Sequence, residues 1–323
     1  IAPCFTPIMP TKEEDKELAL NYNFSPSGDF WDGCYFTDAL IKGEFTDDYK
    51  EWFKEYDYNP SVEDMKIIKD AGYNVLANTL DSEWYNNMNF IGTILYSYMS
   101  QDEIEDVMNQ DGSWDKESVR AAVECIADWL DKGYFPSHPE VDGDQEQLYF
   151  AGDTALWITG NWEVGNITEK TDFTTSIYPF PGSETCSDGG SQVNFAGGAY
   201  LVYSGSESKE AAYKFIDHSV NNPDTAKIWA EEGGTMPPYT KEYDAELSPL
   251  GERVVELLGD ESLQNTAGIN MWLGTNAFDF FSEAGQKMAI GALDVDSFIS
   301  EADAAKDKDV ETGLTKGSFK LDK

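Results

Sequence analysis

Histidine and arginine are nearly missing from this chain. Its 323 residues hold two histidines, His138 and His218, and two arginines, Arg120 and Arg253. His138 sits in a Pro-Ser-His-Pro loop (136–139), and His218 falls near the C-terminal end of a helical pattern, where a helix-dipole contact accounts for it. Two such imidazoles argue against a His-based catalytic triad and leave too few ligands for a His-rich metal site. Positive charge is scarce altogether: 22 Lys and Arg stand against 61 Asp and Glu, for a net charge of −39. Nucleic acid is excluded as a partner, because phosphate binding needs basic patches, and anionic membrane surfaces repel the chain for the same reason. The four cysteines, Cys4, Cys34, Cys125 and Cys186, show no CxxC spacing, which argues against a zinc or redox motif. Asp307, Asp309 and Glu311 alternate like a calcium loop, but Gly313 comes one place late and Ser318 stands where a bidentate Glu is needed. There is no run of eighteen apolar residues that could span a bilayer. Cys4 follows Pro3 with no apolar run before it, so it does not read as a lipid-bearing cysteine; an exported protein would carry its signal in a precursor.

What is present is an ordinary globular composition, 41% hydrophobic, with aromatics raised to 14%. The length suffices for two lobes that each bury a core. Tyr49, Trp52, Phe53 and Tyr56 recur at helical spacing and predict an amphipathic helix over 46–58. Ser61 caps a helix that carries Val62, Met65, Ile68 and Ala71 on one face and stops at Gly72. A strand over 73–80, a loop over 81–85 and a helix over 86–99 come next. Ser113 is expected to cap a long helix with Val119, Ala122, Val123, Ile126, Trp129 and Leu130 on one stripe, ended by Gly133. Later helices are expected near 208–220, 223–232, 247–258, 276–289 and 295–305. Strands alternating with helices define an α/β chain.

The most telling stretch is LYFAGDTALWITGNW, Leu148 to Trp162. A helix end runs into Gly152, a strand follows from Thr154 to Thr159, and Gly160-Asn161-Trp162 stops it with an indole at the tip. That indole can face a ligand or cap a core, and indoles dominate both settings. Farther on, NFAGGAYLVYS (194–204) is an apolar strand interrupted by Gly197 and Gly198, whose freedom of backbone rotation suits a crossing between lobes. A helix over SKEAAYKFIDHSV, an Asn222-Pro223 helix start and the turn from Gly233 to Pro238 come after it.

This order and spacing, with a Pro-bearing strand at 176–181 and the closing piece from Ile290 to Asp296 before a terminal amphipathic helix, resembles the extracellular solute-binding proteins of carbohydrate ABC transporters, of the maltose-binding type. The resemblance runs from about Asn59 to Asp307. It implies a two-lobe α/β fold of the periplasmic-binding-protein type II kind, with a truncated or abbreviated first lobe. Residues 59–196 and 246–323 then form the second lobe, 197–245 what remains of the first with the hinge near 194–199, and 1–58 a segment unlike the family's opening stretch. What remains of the first lobe would hold a strand at 199–203. The resemblance also implies a monomer that closes over a sugar or oligosaccharide and delivers it to permease subunits, with no cofactor. It places the protein outside the cell or in the periplasm, lipid-anchored through its precursor.

Sugar rings offer apolar CH faces and hydroxyl edges, so a site must stack aromatics and place polar groups at the rim. Trp162, Trp272 in Asn270-Met271-Trp272, and the pair Trp84-Tyr85 match stacking positions of the family, each with core packing as its alternative. Asn161, Asp81, Glu83 and Asn270 are the neighbouring candidates for the hydroxyl edges. A glycoside hydrolase, needing two carboxylates across the scissile bond, is the alternative function, though no segment isolates such a pair. A binder of a non-sugar solute on the same fold is the third.

Overall fold

The structure is a computed structural model that describes residues 3–5, 62–70, 72–81, 84–141, 145–152, 154–173, 175–177, 191–193, 200–233, 237, 241–261 and 263–313. The predicted helix at 46–58, the Pro-bearing strand beyond residue 177, and Gly197 and Gly198 lie outside them. Strand β1 (Pro3–Phe5) is followed by α1 (Val62–Asp70), β2 (Asn74–Leu76), α2 (Trp84–Tyr98), α3 (Gln101–Met108), α4 (Glu117–Lys132), α5 (Gln145–Phe150), β3 (Thr154–Leu156), β4 (Ile158–Gly160) and α6 (Val164–Lys170). The remainder comprises β5 (Ser191–Val193), α7 (Lys209–Val220), α8 (Pro223–Glu231), α9 (Pro249–Leu258), β6 (Gln264–Thr266), α10 (Thr275–Ala289) and α11 (Val295–Glu311).

β2 pairs in parallel with β3, Leu76 opposite Leu156, and β5 pairs in parallel with β6. Beyond Leu76 the chain stays extended: the Ala77 amide donates to the Leu156 carbonyl (2.7 Å) and the Leu80 amide to the Pro139 carbonyl (2.6 Å). Val75, Leu76, Ala155 and Leu156 of this pair join a core built by α2, α4, α10 and α11 around Trp114, Trp129, Phe281 and Phe298. Ala77 and Trp157 enter a second core formed by Tyr149, Val164, Ile167, Leu250, Val254 and Leu257 of α5, α6 and α9. Helices on both faces of a parallel pair are the α/β arrangement that the alternating sequence pattern predicts.

Several boundaries follow the sequence reading. Gly72 (φ 89°) lies just past the end of α1, and Gly133 (φ 65°) caps α4 in the left-handed conformation. Asn222 caps α8, its side-chain oxygen accepting from the Asp224 amide ahead of Pro223 at the first helical position. Other boundaries differ. The strand predicted over 154–159 is two strands, because β3 pairs with β2 whereas β4 turns to pair antiparallel with β1. Ser113 does not cap α4, whose cap position is Lys116; its hydroxyl is instead spent on the Asp303 carboxylate of α11. Residues 200–203 form no strand: among the described residues they pair with no neighbouring strand, and Leu201 is 91% exposed. α7, which follows, buries no residue, and Tyr213, Phe215 and, on α8, Ile228 face solvent.

α10 has no capping side chain of its own, since its cap residue is Gly274. Asp309 of α11 does that work from a distance, accepting from the Asn276 amide (2.9 Å), the Asn276 side chain (2.6 Å) and the Ala277 amide (2.9 Å). Gly274 is required there, because any Cβ would overlap the Asp309 carboxylate. Asp309→Ala is expected to cost about 1–3 kcal/mol, as loss of a cap that leaves buried donors unpaired. Urea unfolding with an unchanged denaturant slope checks this; a midpoint equal to that of the parent protein would refute it.

Candidate functional site

Gly152 (φ 81°) ends α5 and turns the chain into β3. At Trp157 the strand leaves its partner, and a side chain takes over the pairing. The Asn78 carboxamide accepts from the Ile158 amide (2.9 Å) and donates to the Ile158 carbonyl (2.8 Å), as a backbone peptide would. Asn78 also approaches Gln145 Oε1 (3.4 Å), which accepts the Trp157 indole N–H (3.0 Å). Gln145 Nε2 donates to the Thr79 hydroxyl (3.1 Å), and Thr79 donates to Asp81 (2.9 Å). Asn78, Thr79, Asp81 and Gln145 are all buried.

β4 then delivers Gly160, Asn161 and Trp162. The Trp162 ring folds back over Gly160, where any Cβ would fall inside the ring's envelope, and the indole is half-buried. Asn161 is 1% exposed, yet among the described residues neither its side-chain nitrogen nor its oxygen has a hydrogen-bond partner. Buried carboxamides are nearly always paired, and an unpaired one costs free energy until something meets it. Thr159 Oγ1 is also buried without a partner.

Trp272 follows a short 3₁₀ turn, Ile269–Met271. Its ring stacks on the buried Trp114 (centroids 6.0 Å apart, 16° between planes), and its N–H donates to the Tyr96 hydroxyl (3.0 Å). Trp272 is therefore anchored on the first core, as its packing alternative predicts, while staying partly exposed. Asn270 Oδ1 beside it is buried and has no partner among the described residues. Trp84 and Tyr85 open α2 instead of lying in the loop before it, because the helix starts two residues earlier than predicted. Their side chains, and all of Glu83, lie outside the described residues, as do Gly197 and Gly198.

Of the predicted residues, the structure joins Asp81 to the strand that carries Asn161 and Trp162; Trp272 and Asn270 rest on a separate support. Asn78 and Gln145 escaped the sequence reading. Nothing in their spacing marks them, because their partners lie 80 and 12 residues away. A groove of about 620 Å³ between α1, the 133–140 segment and the end of α10 includes none of the predicted site residues. Among the described residues, no group of three His, Cys, Asp or Glu side chains is arranged to hold a metal ion, and no helix is long and apolar enough to cross a membrane.

The chain belongs to the bacterial extracellular solute-binding protein family, whose model matches residues 34–251. No curated protein matches the chain. Among solved structures, one from work on xylan utilization by the thermophilic bacterium Caldanaerobius polysaccharolyticus superposes with a TM-score of 0.71 at 15% identity, covering 94% of this chain and 70% of that one. A chitin oligosaccharide binding protein gives 0.67 at 13% identity, covering 95% and 69%. The maltose-bound MalE3 of T. maritima gives 0.64 at 14% identity, covering 95% and 70%. At such identities the likeness shows the fold, and the fold agrees with the two-lobe α/β expectation.

Glu163, directly after Trp162, is buried. Burial holds its carboxyl above the ordinary range and Glu146 adds to this, while the hydrogen bond from Asn166 and the charge of Lys170 oppose it. A carboxyl raised in this way favours the folded state below the ordinary glutamate range, and the favour is lost as pH rises through the folded-state value. Glu163→Gln, neutral throughout, is thus expected to melt above the parent protein near pH 7, with the gap closing towards pH 4. Thermal unfolding at the two pH values checks this, and a gap that does not change with pH would count against it.

Proposed function

We propose that this chain captures a neutral saccharide between two lobes and hands it to the permease subunits of an ABC transporter. The single observation that carries the reading is the end of β4: a half-buried Trp162 indole laid over Gly160, next to an Asn161 carboxamide that has no partner among the described residues. An apolar plate beside an unspent donor and acceptor matches a sugar ring, which has an apolar face and a rim of hydroxyls. The likeness to proteins described with maltose and with chitin oligosaccharide supports the same ligand class.

In this reading Trp162 stacks on the sugar and Asn161 takes its hydroxyls. Trp272, Trp84 and Tyr85 supply further plates, and Asp81, Glu83 and Asn270 further polar contacts. Residues 59–196 and 246–323 form one lobe, 197–245 belong to the other, and Gly197 and Gly198 lie at the crossing. Ligand contacts to both lobes stabilise the closed form by a hinge motion. The protein acts outside the cell or in the periplasm, lipid-anchored through its precursor and monomeric. It makes and breaks no bond.

Calorimetric titration against maltotetraose, chitotetraose and xylotetraose tests the proposal. Binding of at least one is expected, and Trp162→Ala should weaken it by about 1–3 kcal/mol. The ligand should be recovered intact after prolonged incubation. Binding of none, or release of shortened sugars, would overturn the reading.

A further inference from the structure

Gln145 opens α5 and belongs to none of the predicted site positions, yet its carboxamide is where two parts of the proposed site meet. Oε1 accepts from the Trp157 indole (3.0 Å) and from Asn78 Nδ2 (3.4 Å), and Nε2 donates to Thr79 (3.1 Å). Thr79 passes on to Asp81 (2.9 Å), and Asn78 grips both the N–H and the C=O of Ile158. An unbroken run of hydrogen bonds thereby connects the Asp81 turn to the start of β4, which leads directly into Asn161 and Trp162. Gln145 is 8% exposed and the other side chains of the run about 2%. Fully engaged polar networks at such depth are rigid, and losing the hub leaves several buried groups unpaired at once.

We infer that Gln145 is a positioning residue that couples the Asp81 turn to the Ile158–Trp162 strand end, so that both parts of the site hold one geometry before ligand arrives. Its effect on the ligand rests on the saccharide-binding reading; the coupling itself does not. A hub that accepts from one arm and donates to the other should also separate by variant. In Gln145→Glu the carboxylate still accepts from Trp157 and Asn78 but no longer donates to Thr79. In Gln145→Leu both arms are released.

Amide hydrogen exchange of the ligand-free protein tests the coupling. Gln145→Leu is expected to exchange on the order of tenfold faster in both the 76–81 and 157–163 peptides, with α4 and α10 unchanged. Gln145→Glu should speed exchange in 76–81 alone. Acceleration of only one arm in Gln145→Leu, or a uniform rise across the whole core, would overturn the inference. If the leucine variant does not fold, the glutamate variant decides, and an unchanged 76–81 peptide overturns it. Titration with whichever of the three tetrasaccharides the parent protein binds adds a second readout. Kd should rise about tenfold in Gln145→Leu, and the loss should be less than additive with Trp162→Ala; strict additivity would count against coupling. If the parent protein binds no sugar, the saccharide reading falls, while the exchange pattern still settles whether Gln145 couples the two arms.

Discussion

Burial of both faces of the β2–β3 pair is the constraint on which the rest of this structure depends. Val75, Leu76, Ala155 and Leu156 pack in the core of α2, α4, α10 and α11, while Ala77 and Trp157, the residues just past each strand, pack in that of α5, α6 and α9. A parallel pair covered on both sides cannot slip by one residue without exchanging the two sets of side chains. Each large apolar side chain buried this way is worth about 1.5–3 kcal/mol, so the register is held by several such residues at once. The site inherits its position from this register, because Asp81 and Trp162 lie at fixed distances along the chain beyond the paired residues.

Past the paired residues, side chains replace the ladder. Asn78 does for Ile158 what a neighbouring strand would do, and Gln145 ties that junction to the turn at Asp81. The contrast with Asn161 is informative. Two buried asparagines stand close in sequence to the ends of these strands; among the described residues one has both ends of its amide engaged, the other neither. A fully engaged amide serves the fold. An unengaged one is a cost that folding alone does not explain, which is why it directs attention to a ligand. Trp272 combines both conditions, since one indole face is committed to Trp114 and its N–H to Tyr96, while part of the ring remains accessible.

The region around α7 and α8 obeys different rules. Tyr203, Phe215 and Ile228 are exposed, and residues 200–203 join no ladder among the described residues. Helix boundaries there are nonetheless sharp, because Asn222 and Pro223 act locally through one side-chain acceptor and one fixed dihedral. Local signals thus define helices whether or not a core covers them, whereas a strand needs a partner.

By itself the sequence determined what depends on near neighbours. Helical stripes, the glycines that end α1 and α4, the alternation of strands and helices, and the Gly-Asn-Trp strand end were all legible, because each arises within a few residues of chain. The order of those pieces also carried the family. Only the tertiary structure decided that Ser113 serves Asp303 and does not cap α4, that Asp309 caps a helix beginning 34 residues before it, that the strand breaks at Trp157, and that Gln145 is a hub. Polar side chains can choose among many distant partners, and the choice is made by which donors and acceptors burial leaves unpaired. That accounting exists only once the elements have packed.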